Sequence, residues 1–220
     1  MTPLLADPAA ASVFLDFDGT ISCEDVGRHL LARFAPPQWW DLHLRFERGE
    51  IDSRECLLDQ WALVECPTDR ERLEAAAREV PLDPGFGPLV DALRTAGAEV
   101  TVVSDGFGFY VQAACAPFGV DVLTNAVDFR TGELRFPHED RCCPCSTCGV
   151  CKQAPIKDAE YRQRTTVLVG DGASDRKAAL LADVVLAKDG LARWCRSAGV
   201  RFEAFETLDD VRRLLLEEGA

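Results

Sequence analysis

Short apolar runs alternate with segments of helical spacing at the start of the chain and again from residue 84 onward. Residues 13–18, 98–106 and 164–175 each contain an apolar, β-branched run that leads into a polar loop, which predicts buried strands followed by loops. Shorter strands are predicted at 183–187 and 200–205. Strands that alternate with helices are typical of a parallel sheet with helices on both faces.

Residues 24–80 have a different pattern. Their apolar positions follow helical spacing throughout, with no strand pattern between them. Pro36 and Gly49 flank one of these segments in the order in which the two residue types bound helices. The spacing predicts about four short helices in this region.

These two patterns predict the domain organisation. Residues 1–22 and 83–220 are expected to form an α/β core with a Rossmann-like parallel sheet and helices on both faces. Within that core, residues 121–151 are predicted to contain a hairpin, turning at an Arg-Thr-Gly sequence, and a cysteine-rich loop. Residues 23–82 are predicted to be an inserted helical cap.

The charge balance limits the classes of partner. The 220 residues include 24 Lys and Arg against 37 Asp and Glu, a net charge of −13. A nucleic-acid-binding protein or a protein of anionic membrane surfaces would present a basic face, so neither is expected. No basic residue precedes Arg28, and no apolar run approaches the roughly 18 residues of a membrane span. We therefore expect a cytoplasmic protein whose partner is a small molecule.

Polar residues follow three of the predicted strands. The carboxyl ends of parallel strands lie at one edge of the sheet, where ligands bind. Four carboxylates in one place repel one another unless a cation lies between them, and oxygen ligands suit Mg²⁺. Nearby glycines offer backbone N–H groups to a phosphate. The residues that we expect to meet there are Asp16, Asp18, Ser104, Asp171 and Asp175.

Together, the segments DFDGTI, VVSDG, a following lysine and GDGASD resemble the four motifs of the haloacid dehalogenase superfamily of phosphohydrolases, in order and spacing. The resemblance implies that Asp16 is the nucleophile and that Asp18 is the general acid and base. It also implies that Ser104 binds a phosphate oxygen. Mg²⁺ would be held by Asp16, Asp171 and the backbone carbonyl of Asp18, with Asp175 supporting these ligands.

The same resemblance implies a lysine that contacts the phosphate. Spacing leaves Lys152 and Lys157 as candidates. The segments FAPPQWW, FPH and CGVCKQAPI resemble a branch of the superfamily in which the lysine directly follows the Cys-Gly-x-Cys element, and this assigns the role to Lys152. The implied phosphate-binding set comprises Phe17, Asp18, Ser104, Asp105, Gly106 and Lys152.

That branch contains the methionine-salvage phosphatase of 2-hydroxy-3-keto-5-methylthiopentenyl-1-phosphate and lies close to the phosphoserine phosphatases. The resemblance therefore implies hydrolysis of a small phosphorylated metabolite. The candidates are the methionine-salvage phosphate, phosphoserine or another small metabolite phosphate. A phosphomutase that passes the phosphoryl group to a second hydroxyl is an alternative. Glu24 lies near the position of a carboxylate that reads the substrate in the related enzymes, or it serves as an acidic residue at a helix start.

The cysteines form a separate feature. Of ten in the chain, five lie within residues 142–151. A zinc site, disulfides and packed thiols are all compatible with the spacing, and a metal-binding or redox module built on the cluster is the alternative to an enzyme. The candidate zinc ligands are Cys142, Cys145, Cys148 and Cys151, at steps of three, with His138 upstream.

Overall fold

The computed structural model describes residues 2–139 and 146–217. Over these residues, seven strands form one sheet in the order β4-β3-β2-β1-β5-β6-β7. The strands are β1 (Ala11–Leu15), β2 (Glu99–Phe107), β3 (Asp121–Asp128), β4 (Glu133–Arg135), β5 (Thr165–Gly170), β6 (Val184–Ala187) and β7 (Glu203–Ala204).

Ten α-helices lie within the same described ranges. Four of them occur between β1 and β2 before the chain reaches α5, which packs beside the last helix, α10. The helices are α1 (Val26–Phe34), α2 (Trp39–Glu47), α3 (Ser53–Trp61), α4 (Arg70–Ala77), α5 (Phe86–Thr95), α6 (Gly108–Cys115), α7 (Gln153–Tyr161), α8 (Arg176–Ala179), α9 (Asp189–Ala198) and α10 (Leu208–Leu216).

The sheet is parallel except at one edge. β1 pairs in parallel with β2 and β5, β2 pairs with β3, and β6 pairs with β5 and β7. Only β4 runs antiparallel, as the second strand of a hairpin with β3. The predicted α/β fold with a parallel, Rossmann-like sheet is confirmed.

Three strands differ in extent from the sequence prediction. The second strand continues to Phe107, so Ser104, Asp105 and Gly106, which were predicted to lie in a loop, form the end of β2. The first strand was predicted to include residues 13–18, but β1 ends at Leu15. The chain turns immediately afterwards, because the Phe17 carbonyl accepts the N–H groups of residues 20–22. The last strand is reduced to Glu203–Ala204, which pairs with the end of β6 alone.

The apolar run of β1 is continuous because both faces of the strand are buried. Val13 and Leu15 face one cluster of core residues, and Phe14 faces the other, as successive side chains of a strand point to opposite faces. Both clusters are covered by helices. A central strand buried on both sides is thus the reason for an unbroken apolar pattern at residues 11–15.

Residues 23–82 contain the four helices α1–α4, as their spacing predicted. Aspartates at residues 25, 52 and 69 begin α1, α3 and α4, each accepting a backbone N–H from the first turn. The two ends of the segment lie side by side, since Ser22 and Leu82 form an antiparallel bridge. Cys23 also donates its N–H to the Pro81 carbonyl at 2.9 Å.

Candidate active site

The strand register brings three polar segments to one edge of the sheet: the end of β2 and the loops after β1 and β5. Leu15 pairs with Val102 on one side and with Val169 on the other. Asp16 follows β1 directly, and the polar residues of the other two segments begin two residues beyond the paired valines. From β1 the chain first adds β2, β3 and β4 on one side of that strand, and it later adds β5, β6 and β7 on the other side. The carboxyl end of β1 is therefore a switch point, the place at which open α/β sheets bind ligands.

The loop after β1 passes very close to the loop after β5. Gly19 adopts φ +77°, a left-handed conformation that favours glycine. A Cβ at this position would lie 2.6 Å from Asp171 Oδ2. The glycine of the DFDGT segment is therefore required for the approach of the two acidic loops.

Lys152 links the same two loops. Its Nζ lies 2.8 Å from Asp16 Oδ1 and 2.7 Å from Asp175 Oδ1. It also donates a hydrogen bond to Ser174 Oγ at 3.0 Å. The Lys152 and Asp175 side chains are 4% and 0% exposed. An ammonium group buried between two carboxylates holds both in one geometry.

Negative charge exceeds positive charge at this position. Burial and repulsion from Asp175 raise the pKa of Asp16 well above its ordinary value, although Lys152 opposes the shift. Burial and the same neighbour raise the pKa of Asp171 to about 7. Burial alone would lower the pKa of Lys152, but Asp16 and Asp175 raise it above its ordinary value. A further cation would lower the pKa of both aspartates.

The donor set fits a hard divalent cation. Carboxylate oxygens of Asp16, Asp171 and Asp175 lie within 4.8 Å of one another. Asp175 is already bound by Lys152 and by the N–H groups of Asp171 and Gly172, at 3.3 and 3.2 Å. Both oxygens of Asp175 are therefore bound, whereas Lys152 binds Asp16 at Oδ1 and the Thr20 hydroxyl binds Asp171 at Oδ1. The Oδ2 atoms of Asp16 and Asp171 are thus the ones offered to an ion. Mg²⁺ suits such a site, because it commonly takes one or two carboxylates and completes its shell with water and substrate oxygens.

Asp18 is held by groups from three elements. Its Oδ1 accepts the Val26 N–H at 2.9 Å, and its Oδ2 accepts the Tyr110 hydroxyl at 3.0 Å and the Ser104 hydroxyl at 3.4 Å. Burial and the nearby Asp25 raise the pKa of Asp18 to about 8. A carboxyl group with this pKa carries a proton over much of the neutral range.

The carboxyl end of β2 provides the remaining polar groups. Ser104 is fully buried, and its Oγ accepts the Gly106 N–H at 2.9 Å. The Asp105 carboxylate accepts the Ser53 hydroxyl of α3 and, at 2.6 Å, the Val150 N–H. Asp105 therefore joins the sheet edge to α3 and to the loop that precedes Lys152.

A cavity of about 180 Å³ lies between this sheet edge and helices α1–α3. Asp16, Asp18, Asp105 and Asp171 line it on the sheet side. The helical wall is mixed, with six apolar and six polar side chains besides Cys56. The apolar residues are Leu30, Leu31, Phe46, Leu57, Trp61 and Val64; the polar ones are Asp25, Arg28, His43, Glu47, Ser53 and Gln60.

The sequence model of the family described as haloacid dehalogenase-like hydrolase matches residues 13–180, which include all of these loops. The chain belongs to this family. Membership supports the enzyme over the module built on cysteines, and the predicted resemblance is confirmed.

Curated relatives in this family match nearly the whole chain. A 2-hydroxy-3-keto-5-methylthiopentenyl-1-phosphate phosphatase of Brevibacillus brevis is 28% identical over 208 residues, 92% of this chain and 94% of the relative. The protein of the same name from Exiguobacterium sp. is 30% identical over 205 residues, 90% of this chain and 94% of the relative. These names confirm the predicted enzyme class, a phosphatase.

Among solved structures, one entitled phospho-aspartyl intermediate analogue of phosphoserine phosphatase superimposes with a TM-score of 0.72. The match covers 91% of this chain and 96% of the other, at 19% sequence identity. At that identity the likeness concerns the fold, and it agrees with the parallel sheet described above.

Most of the site residues predicted from the family motifs lie together at the sheet edge. Phe17 is buried behind the two aspartates that flank it, and Gly106 lines the cavity. Glu24 is the exception, since it is exposed and does not line the cavity. The physical reason is the helix cap: Asp25, not Glu24, caps α1, and that position holds the Asp25 carboxylate at the cavity wall.

The predicted zinc site at the cysteine cluster can be located only in part. Cys142 and Cys145 lie outside the described residues. Of the other candidate ligands, Cys151 is buried, and Cys148 and His138 are half-buried. Within residues 2–139 and 146–217, the one group of three or more side chains placed to share a metal ion is the aspartate trio. Structural zinc stays a prediction.

Several residues at the site carry no sequence signal that marks them. Tyr110 reaches Asp18 from α6, and Ser53 reaches Asp105 from α3. Asp25 and His43 line the cavity from the helical wall. These residues lie between or beyond the family motifs, so their meeting with the motif residues depends on how the helices pack.

Proposed function

We propose that this protein is a Mg²⁺-dependent phosphomonoester hydrolase that acts through an aspartyl-phosphate on Asp16. The observation that carries the proposal is the buried Lys152 ammonium, bound to Asp16 and Asp175 beside Asp171. This arrangement places an oriented carboxylate at the floor of a cavity with positive charge directly beside it, which favours nucleophilic attack on a phosphate.

In the first step, Asp16 attacks phosphorus. Its Oδ1 is bound by Lys152 and by the Phe17 N–H at 2.7 Å, which leaves Oδ2 for the attack. The bond from Oδ2 to phosphorus forms as the bond to the leaving oxygen breaks. Asp18 gives its proton to that oxygen, so the leaving group departs as a neutral hydroxyl compound. Ser104 and the Lys152 ammonium neutralise charge on the phosphoryl oxygens.

In the second step, water attacks the phosphorus of the aspartyl-phosphate. Asp18, now a carboxylate, takes a proton from the water, and the Asp16 carboxylate is released with inorganic phosphate. Asp16, Asp171 and the backbone carbonyl of Asp18 would hold Mg²⁺, with Asp175 supporting them. When bound, the ion would offset the repulsion between the phosphate and the aspartates.

We propose further that residues 23–82 act as a cap on a core formed by residues 1–22 and 83–220. The bridge between Ser22 and Leu82 supports this division, because it closes both ends of the segment at one neck. The helices cover the cavity and exclude bulk water from the phosphoryl group, which strengthens every electrostatic contact inside.

We also propose that the reaction takes place in the cytoplasm, where the charge of phosphorylated metabolites keeps them from crossing the membrane.

The preferred substrate that we propose is 2-hydroxy-3-keto-5-methylthiopentenyl-1-phosphate, the compound in the names of the curated relatives. The apolar part of the cap wall supports it, since a methylthio chain is best matched by aliphatic and aromatic side chains. Phosphoserine is the alternative, because the fold is shared with phosphoserine phosphatases and Asp25 and Arg28 offer charges to an amino acid.

The proposal is tested by phosphate release from a panel of small phosphomonoesters, with Mg²⁺ and with EDTA. The panel includes the methylthiopentenyl enol phosphate, phosphoserine and an alkyl phosphate. We expect release that requires Mg²⁺ and is fastest with the enol phosphate. Preference for phosphoserine would overturn the substrate assignment and leave the reaction class intact.

Two other outcomes would contradict the reaction class. Release that is equally fast in EDTA would remove the role of the ion. Slow hydrolysis combined with rapid transfer of the phosphoryl group to a second hydroxyl compound would identify a phosphomutase.

A further inference from the structure

Tyr110 is buried next to the proposed acid and is absent from every motif discussed above. It lies in α6 and is 6% exposed. Its ring packs against Phe17 and Phe109, with centroid distances of 5.8 and 5.2 Å. Aromatic contacts on two sides fix the direction of the ring, and with it the position of the hydroxyl group.

The hydroxyl group points at Asp18. It donates to Asp18 Oδ2 at 3.0 Å. Gly106 provides the space: a Cβ there would lie 2.6 Å from Asp18 Oδ2 and would also collide with the Tyr110 hydroxyl. The glycine at position 106 thus accommodates this hydrogen bond.

We propose that Tyr110 is a positioning residue for the acid step: its hydroxyl fixes the Asp18 carboxyl group and stabilises the carboxylate that forms when Asp18 gives up its proton. This inference rests on the proposed function and deepens it. The Val26 N–H holds the other oxygen of Asp18 at 2.9 Å, so the two donors together define one orientation of the carboxyl group.

The step is balanced without any further reactant. The bond from Asp16 to phosphorus forms, the bond from phosphorus to the leaving oxygen breaks, and that oxygen receives the proton of Asp18. Tyr110 keeps its own proton throughout and donates a hydrogen bond to the new carboxylate. Burial and the neighbouring Asp18 raise the pKa of Tyr110 well above its ordinary value, which keeps the hydroxyl protonated in this role.

The role predicts a dependence on the leaving group. An alkyl phosphate expels an alkoxide, which needs the proton of Asp18 as it departs. In contrast, p-nitrophenyl phosphate expels a stabilised phenolate that leaves without one. A hydrogen bond to the carboxylate of Asp18 therefore accelerates the first reaction far more than the second.

The test compares Tyr110→Phe with the wild type on these two substrates in the presence of Mg²⁺. The variant keeps the ring and removes only the hydroxyl. The quantity measured is kcat/KM, which reports the steps up to phosphoryl transfer and not the later hydrolysis of the aspartyl-phosphate. We expect kcat/KM for the alkyl phosphate to fall about 10- to 100-fold, as for one hydrogen bond to a charged group, and the loss for p-nitrophenyl phosphate to be at least about tenfold smaller.

Two further variants calibrate the result. Tyr161→Phe changes the other tyrosine of the chain, which is 92% exposed on α7, and is expected to leave both values unchanged. Asp18→Asn removes the acid itself and is expected to show the same leaving-group preference with a larger loss. The thermal unfolding midpoint of each variant shows whether the fold is retained.

Equal losses on both substrates would overturn the inference, because a general loss of structure or of phosphate binding does not distinguish leaving groups. No loss on either substrate would reduce Tyr110 to a packing residue. A wild type that releases phosphate from neither compound and from no member of the panel would overturn the proposed function together with this inference. Wild-type activity with an unaffected Tyr110→Phe would overturn the inference alone.

Discussion

The two walls of the cavity are built in different ways. On the sheet side, directed bonds hold the functional groups, as Lys152 does with Asp16 and Asp175. On the cap side, apolar side chains such as Leu30, Phe46 and Leu57 lie among an equal number of polar ones. Directed bonds fix reacting atoms in position, whereas apolar surface selects by size and hydrophobicity. We therefore expect the sheet wall to carry the reaction and the cap wall to influence the choice of leaving group.

The two walls are nevertheless connected by specific bonds. Ser53 of α3 donates a hydrogen bond to Asp105 at the end of β2. The Arg176 guanidinium of α8 donates two hydrogen bonds to Glu47 of α2, one to the Glu47 carbonyl at 3.1 Å and one to the Glu47 carboxylate at 3.0 Å. Val26 at the start of α1 donates to Asp18. The cap thus helps to orient the acid on the opposite wall, and only part of its role is enclosure.

The largest effect is expected on the sheet wall at the nucleophile. Asp16→Asn should lower kcat at least about 10⁴-fold, because an amide oxygen cannot form the aspartyl-phosphate. The fold should persist, as the side chain keeps its shape. Phosphate release and the thermal unfolding midpoint are measured for this variant and for Asp158→Asn, an exposed change on α7. Turnover by Asp16→Asn close to that of the control would exclude the covalent mechanism.

A smaller effect on the same wall is expected at Ser104. Ser104→Ala should lower kcat by about 10²- to 10³-fold, the usual cost of one lost donor to the transition state. KM should change little, since the phosphate keeps its other contacts. The matched control is Ser197→Ala, at an exposed serine of α9. A change confined to KM would instead show that Ser104 binds the substrate without a preference for the transition state.

The cap wall should respond in KM and in substrate choice. Phe46→Ala removes apolar surface from the cavity, so KM for the enol phosphate should rise about tenfold. Turnover of p-nitrophenyl phosphate should be affected less, because its aromatic group makes different contacts. Phe202→Ala, at a residue that packs against the core cluster of Phe14 and does not line the cavity, serves as the control. A fall in kcat without a change in KM would mean that the walls are not separate in function.

The smallest effect concerns the pH response of the cap wall. Burial and the adjacent Arg28 lower the pKa of His43, while Glu47 and Asp25 oppose the shift. Below a pH of about 6.5 the unfolded chain therefore binds a proton that folded His43 takes up only at lower pH, and the free energy of unfolding falls. His43→Gln should lose less stability than the wild type between pH 7.5 and pH 5.5 by urea unfolding. Parallel losses in the two proteins would show that His43 makes no contribution.

The sheet wall was predictable from the sequence, because each of its groups lies within a few residues of a strand with a strong pattern. Asp16 and Asp18 follow an apolar run, and Asp171 follows another. Parallel strands bring their carboxyl ends to one edge whatever the intervening sequence, so the meeting of these loops follows from the alternation of strands and helices. The position of Lys152 followed from a family resemblance, as spacing alone left Lys157 equally possible.

The cap wall was not predictable in the same detail. Helical spacing predicted α1–α4, and no local pattern shows which residue of a helix faces a loop that is far away in sequence. Glu24 and Asp25 differ by one position, and the cap of α1 alone decides that Asp25 lines the cavity. Likewise, Tyr110 meets Asp18 across 92 residues because α6 packs against the turn after β1.

By itself, the sequence therefore determined the α/β class, the insertion of four helices after β1, and the acidic groups at one edge of the sheet. These follow from local periodicity and from the geometry common to parallel sheets. Only the tertiary structure decided which side chains hold Asp18 in place and which residues of α1–α3 line the cavity. Such contacts depend on how whole helices pack against the sheet. Neighbouring positions of one helix point in different directions, so a residue one position away from a cavity-lining residue can face solvent instead.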